Sequence, residues 1–357
     1  MELFILDKNF ETLKIIDKFE SLLWTIRYSS YGDFELYTVV DLEELPFFKK
    51  DYYVWIRETN RYMFIEKVEI SSDVEDGAHL KVTGRSLESI LNRRINYAEV
   101  SYSGNLQAGI RKLLNDNIIS PTDFASYRRI SNFIFKDSSD SNVTSLTLET
   151  KFERGMNIGE AIQKICDSES LGYRITLSDT KQFVFELYKG TDRSYDQFDV
   201  PYVIFSPKFD NIINSEYVDT DQDFKNIVFV YSERQDENQT YVNKREVYGK
   251  YGVVKGLGRR EMYLDFSGSN DEDSGMHITS QMRQAGKEAL SEYQTQTAFE
   301  GQVDTTSMFR FEEDFFMGDV VQIANEYGIE AKSRVTEILW SQTNQGLEVY
   351  PTFTMVD

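Results

Sequence analysis

The sequence predicts an α+β protein built mainly of antiparallel β-sheet, and three observations carry that prediction. Short runs of β-branched and aromatic residues, separated by polar turns, fill both ends of the chain. Helical periodicity is confined to a few isolated segments that do not alternate with strands in a βαβ order. The chain is 14% aromatic, with 25 Phe and 22 Tyr, which is enough large apolar surface to form sizeable cores despite its charge. At about 150 residues per domain, 357 residues leave room for two or three domains. No internal period of about 20–50 residues is present.

The elements follow in order. Leu3–Leu6 is a short apolar run closed by Asp7, and Leu13–Ile16 continues toward Phe19. Ser21–Tyr28 is rich in strand formers, and Gly32-Asp33 punctuates the chain before a strand at Phe34–Val40. Tyr53–Arg57 and Arg61–Ile70 flank the polar Glu58-Thr59-Asn60, which predicts a hairpin. His79–Thr83 is another strand that Gly84 ends, and Leu87–Ile95 has helical spacing behind Ser86. Gly104–Asn117 and Asn157–Ser170 are helical by period. Asn157 is the expected N-cap with Glu160 three residues on, and Leu171-Gly172 the expected end. Tyr173–Leu177 and Gln182–Tyr188 then form a hairpin. Strands return at Tyr202–Phe205, Ser215–Asp219 and Asn226–Tyr231, with Val242–Val254 read as a hairpin. Ser267–Gly275 is a solvated acidic loop, and Ile278–Ala298 is the longest helical candidate, capped by Thr279 or Ser280. Ala298–Thr305, Val320–Ile323, Glu330–Trp340 and Leu347–Phe353 complete the strands.

Composition excludes several classes. Sixty acidic against 39 basic residues give a net charge of −21, which opposes non-specific nucleic-acid binding and anchoring on anionic lipid. One cysteine, Cys166, excludes an intramolecular disulfide and a Cys-based zinc site. Only His79 and His277 are available for a His-based triad or metal site, and neither has a motif around it. The N-terminus lacks the basic and apolar regions of a signal peptide. No stretch approaches the ~18 apolar residues of a membrane-spanning helix. Five prolines and no Ser/Gly-rich tract leave no long linker.

The patterns that resemble chemistry are weak. Asp219-x-Asp221-x-Asp223 opens like a calcium loop, but Phe224 replaces the required Gly and Val230 the bidentate Glu. Asn270–Asp273 has no spacing that folds oxygens around one ion. Gly256-x-Gly258 falls short of a phosphate-binding fingerprint, because Glu261 stands where the third Gly belongs. Glu312-Glu313-Asp314 is a possible hydrolytic pair, yet with 60 acids such pairs are background. Arg93-Arg94, Arg128-Arg129 and Arg259-Arg260 are expected to pair with acids or lie at interfaces. Cys166, on the apolar face of its helix, reads as a core residue. The stripe Tyr28, Tyr31, Phe34, Tyr37 reads as packing. Trp55 and Trp340 sit in apolar strands and are expected to be buried.

Trp24-x-x-Arg27-Tyr28 followed by Gly32-Asp33-Phe34-Glu35-Leu36, together with Phe19–Leu22 before them, resembles the tail hub (prophage tail) proteins of siphophages. Further matches come in order: the Tyr53–Ile70 hairpin; Val82-Thr83-Gly84-Arg85-Ser86 with Ile90-Leu91 and Arg94; Asn226–Tyr231; Gly258–Glu261; Gly318-Asp319-Val320-Val321; and Arg334–Ile338. The resemblance implies a fold similar to the trimeric baseplate hub of contractile-tailed phages, with two tail-tube-like β-barrel domains plus α/β inserted domains. The first barrel then falls at 1–100 with returning strands near 200–235, the α/β insert at 101–199, a small domain with a long helix at 236–298, and the second barrel at 299–357.

The resemblance further implies a non-enzymatic virion protein of the tail tip, made in the host cytoplasm, with no catalytic residue, cofactor or metal. It would form a homotrimer that adapts a sixfold tube to a threefold tip. Its partners would be the distal tail protein ring, the tape measure protein and the tip or receptor-binding proteins. DNA would transit without specific binding and no membrane insertion is expected. Because the chain stops at Asp357 just after a strand, a hub without a fused hydrolase is expected. The alternatives are a cell-wall-degrading hydrolase and a glycan-binding receptor module. Acidic channel walls would repel phosphate and keep the genome from sticking, so the acids should cluster on the channel face.

Overall fold

The computed structural model describes residues 1–75, 77–122, 127–236, 239–267, 278–293, 296–303, 308–325, 327–328 and 330–356. Strands β1 (Leu3–Leu6), β2 (Thr12–Ile16), β5 (Tyr53–Ile56) and β6 (Tyr62–Phe64) form a four-stranded antiparallel sheet in the order β2-β1-β5-β6. Strand β1 is buried along its whole length, and its period-2 alternation explains why. Leu3 and Ile5 point into one core and Phe4 and Leu6 into another. The facing strand alternates in step, with Val54 and Ile56 in the first core and Tyr53 in the second. This small sheet is therefore the shared wall between two cores.

The first core lies against a ten-stranded sheet. Its main path runs β15 (Ile212–Thr220), β19 (Gln296–Val303), β22 (Gly346–Met355), β21 (Glu330–Thr343), β3 (Ser21–Arg27), β4 (Asp33–Val39), β8 (Gly77–Arg85), β7 (Lys67–Asp73). The short β14 (Ile204–Phe205) pairs in parallel with β20 (Val320–Ala324), which pairs with β21. Both ends of the chain are thus joined in one sheet through the β21–β3 ladder, which places Trp340 opposite Trp24. The Trp24, Leu22, Leu36, Val82, Phe205, Val321, Ile338 and Phe353 side chains fill this core. Each such side chain stabilises the fold by roughly 1.5–3 kcal/mol on burial. The sheet is open: among the described residues no ladder joins β7 to β15, and no barrel closes by hydrogen bonds.

The second core belongs to the stretch between β8 and β14. It holds the pair β9 (Val100–Asn105) and β11 (Thr147–Phe152), the sheet β10 (Phe133–Lys136)–β13 (Phe183–Tyr188)–β12 (Gly172–Leu177), and helices α1 (Leu106–Leu114), α2 (Ser141–Thr144) and α3 (Ile158–Ser168). Asn157 caps α3 as its sequence predicts, its Oδ1 accepting the Glu160 N–H at 3.2 Å. A third, smaller unit is the sheet β17 (Gln239–Tyr248)–β16 (Ile227–Asp236)–β18 (Glu261–Asp265) covered by α4 (Ile278–Ser291). Val228, Val230, Val247, Met282 and Leu290 are its core.

The mainly antiparallel α+β prediction holds, with three parallel pairs (β10–β13, β14–β20 and β16–β18). Several local expectations differ. Arg61–Ile70 is not one strand: it turns at Ile65-Glu66 and sends β6 to the small sheet and β7 to the large one. Leu87–Arg93 is a 3-10 helix that buries Leu87, Ile90 and Leu91 and is ended by an extended Arg94, which leaves Ile95 outside it and exposed. Helix α3 ends at Ser168, and Ser170 just beyond it takes the left-handed conformation (φ 54°), so Gly172 is free to open β12. Val242–Val254 is not a hairpin: β17 ends at Tyr248 and pairs with β16 instead. The returning stretch near 200–235 divides, with β15 in the large sheet and β16 at the centre of the small unit.

Candidate functional site

Several residues of the sequence motifs, among them Arg27, Tyr28, Ser86, Gly318, Asp319 and Arg334, converge on one place, the junction of the large sheet, the insert and the C-terminal strands. Tyr28 lies just beyond β3 and is 4% exposed. Its N–H donates to the Thr336 carbonyl at 2.9 Å, and its own carbonyl accepts from the Tyr173 N–H at 3.1 Å. One backbone unit therefore ties the C-terminal strand β21 to the insert strand β12. The ring meets Tyr188 edge-on at 5.3 Å and lies under the Arg334 guanidinium at 5.4 Å. The hydroxyl donates to the Ser170 carbonyl at 3.1 Å. Burial pushes the Tyr28 phenol up to about 12, so it stays protonated and remains a donor.

Two glycines make room for this ring. A Cβ on Gly172 would sit 2.3 Å from Tyr28 Cε2, and one on Gly318 would sit 2.2 Å from it. Gly318 also has φ +90°, which disfavours any other residue. Arg334 Nη1 donates to the Gly318 carbonyl at 2.7 Å.

Charged clasps surround the ring. Arg27 Nε donates to Glu337 at 2.6 Å and its Nη1 to the Tyr31 carbonyl at 3.0 Å and to Asp33. Burial opposes its charge, but the two carboxylates win and hold the guanidinium pKa above its usual value. Ser86 Oγ accepts the Gly32 N–H at 2.8 Å, and the Ser86 N–H donates back to the Gly32 carbonyl. Asp319, 2% exposed, accepts from the Thr191 N–H at 2.7 Å, Arg193 Nε at 2.6 Å and the Phe316 N–H at 3.0 Å. These acids and bases are consumed by one another and by backbone groups, an arrangement that fixes segments in place rather than presenting a reactive atom.

The other candidates fall elsewhere. Cys166 is fully buried in α3 and burial pushes its thiol up, which makes it inert. Asp221 pairs with Arg260. Among the described residues no three His, Cys, Asp or Glu side chains are placed to hold a metal. Asn270–Asp273 and His277 lie outside the described residues. His79 stacks on Tyr37 at 5.1 Å. Gly256–Gly258 is a 3-10 turn whose Gly258 carbonyl accepts from Asn226. Glu312, Glu313 and Asp314 form a tight turn in which Asp314 accepts the Arg310 N–H and Glu313 lies 3.4 Å from Arg310.

The arginine pairs behave unequally. Arg93 bonds Glu66 at 3.1 Å, and Arg259 pairs with Glu246 at 2.7 Å. Arg128 instead bonds Asn117 and the Ile95 carbonyl, and Arg94 loses basicity through burial and its neighbours Arg128 and Arg93. Trp340 is 4% exposed; Trp55 is half-buried, its Nε1 donating to the Thr59 carbonyl. Tyr28 and Phe34 are core as expected, whereas Tyr31 and Tyr37 are half-buried. The buried ion pairs Arg193–Asp319 and Arg61–Glu88 were not foreseen, because each joins segments far apart in the chain. No helix among the described residues is long and apolar enough to cross a membrane.

The profile of the Siphovirus ReqiPepy6 Gp37-like protein family matches residues 2–353. The chain belongs to that family. Solved structures agree on the fold. A prophage tail protein, gp18, from Listeria monocytogenes EGD-e aligns with a TM-score of 0.55 at 12% identity, covering 99% of this chain and 94% of that one. The 43 kDa tail protein of prophage MuSo2 from Shewanella oneidensis gives a TM-score of 0.59 at 10% identity, covering 99% and 98%. A chain of the Francisella PdpA-VgrG complex gives 0.51 at 12% identity, covering 99% of this chain and 52% of that one. No curated protein matches. This Gp37-like chain therefore has the fold of prophage tail proteins from end to end, and several of its landmark residues, among them Arg27, Tyr28, Gly318 and Arg334, lock that fold at the Tyr28 junction.

Proposed function

We propose that this protein is a structural hub at the distal end of a siphophage tail. It assembles as a homotrimer whose ring joins a sixfold tube to a threefold tip, stacks on the distal tail protein ring, meets the tape measure protein inside and carries the tip or receptor-binding proteins below. It works in the virion, and DNA passes through the ring without specific binding. Each protomer supplies two tube-like units, drawn from 1–100 and 299–357 with β14 and β15 returning to them, and 101–199 and the β16–β18 unit with α4 are added domains.

The observation that carries this reading is the end-to-end match to prophage tail folds combined with the Tyr28 junction. The motif residues there are spent on holding three parts of the chain in fixed relation, as a ring component requires, and none is left poised for proton transfer or nucleophilic attack. This supports a structural rather than an enzymatic role. Class averages of the purified protein in electron micrographs test it: threefold rings with a central channel are expected, and uniformly single particles overturn it. A gel cast with cell walls tests the enzymatic alternative separately, and no clearing is expected.

A further inference from the structure

A cavity of about 230 Å3 opens beside the junction, where the start of β6, the end of the insert and the turn before β20 meet. Its lining includes Arg61, Arg174, Tyr188, Lys189, Glu312 and Asp319. Arg61 is 7% exposed, yet its Nη1 has no hydrogen-bond partner among the described residues. The nearest carboxylate oxygen, Glu88 Oε1, is 3.7 Å away and already accepts the Ile175 N–H at 2.9 Å. The Tyr188 hydroxyl is also buried without a partner. Arg174 stacks over the Tyr188 ring at 5.0 Å, anchored from behind by Glu186. Leaving such donors unsatisfied is costly, and a guanidinium has no acceptor capacity with which to help its neighbours.

The charge balance of the lining favours an acceptor. Three cations face two carboxylates, in a chain whose net charge is −21. Asp319 is already taken by Arg193 and two backbone N–H groups, so Glu312 is the remaining internal competitor. Glu312 is exposed and sits at φ 65° on the turn, so it borders the cavity without closing it.

We propose that this cavity binds an oxyanion, a carboxylate or phosphate group, with Arg61, Arg174 and the Tyr188 hydroxyl as its donors. Bidentate recognition of such planar or tetrahedral oxyanions is the chemistry for which paired arginines are suited. Calorimetry on the full chain with inorganic phosphate and with succinate, against sodium chloride at equal ionic strength, tests it. At least one of the two anions should bind at one site per chain. Phosphate alone identifies a free or esterified phosphate as the ligand, and succinate alone a carboxylate such as a partner's acidic side chain. Arg174→Gln should weaken binding about tenfold or more and Tyr188→Phe severalfold, as expected for charge-assisted and neutral hydrogen bonds. Glu312→Gln should tighten it by removing the competitor. Arg61→Gln leaves Glu88 buried without its cation and is expected to compromise folding, so the other three variants carry the test. Binding of neither anion above the chloride control, or equal binding by wild type and Arg174→Gln, overturns the proposal.

Discussion

Tyr28 shows how much one residue can organise. Its ring, its hydroxyl and both of its backbone polar groups together engage strands β12, β13 and β21 and the end of the α3 segment. Tyr28→Ala should destabilise the protein by about 3–5 kcal/mol, the range for emptying a large aromatic site, measured by chemical denaturation. Gly318→Ala should destabilise it as well, because the new Cβ meets the Tyr28 ring at a φ that suits only glycine. The double variant should lose less than the sum, since removing the ring frees the space that the Cβ needs. Cys166 gives a simpler readout: its buried, un-ionised thiol should not react with a disulfide reagent in the native state and should react fully in denaturant.

At the scale of elements, legibility depended on whether the information was local. Helix α3 was readable because its cap, its period and its buried stripe all lie within a dozen positions; Asn157→Ala should cost about 1 kcal/mol by thermal or chemical denaturation. The split of Arg61–Ile70 into two sheets was not readable, because both halves have the same strand-forming composition and only distant partners separate them. The same holds for the junction. Trp24, Arg27, Tyr28, Gly318 and Arg334 all stood out as motif residues, but their meeting depends on ladders that join the two ends of the chain. Arg61–Glu88 gave no signal at all, because single charged residues are background in a chain with 60 acids. Helix α4 carries a pH-sensitive contact. Burial between α4 and α3 raises the Glu288 carboxyl above its ordinary 4.5, against the Gln284 hydrogen bond and Lys164. A raised value in the folded state means that stability is present at low pH and lost as pH rises above 4.5. Glu288→Gln should therefore raise the thermal midpoint at about pH 7 and match wild type at about pH 4.

For the whole molecule, the charge of −21 and the open ten-stranded sheet are read together. Many of the acids are spent within the chain, as in the Arg27, Arg85, Arg193 and Arg259 pairs, so only the remainder can set the field of an assembled channel. The hub account places that remainder on the channel wall, where it repels the genome. The central claim is that the protomer is built to close a ring with copies of itself. The most direct test is the mass of the purified protein in solution by light scattering at working concentration. A mass three times the protomer's 41.7 kDa is the predicted result. A mass of one protomer that persists as concentration rises would contradict the account.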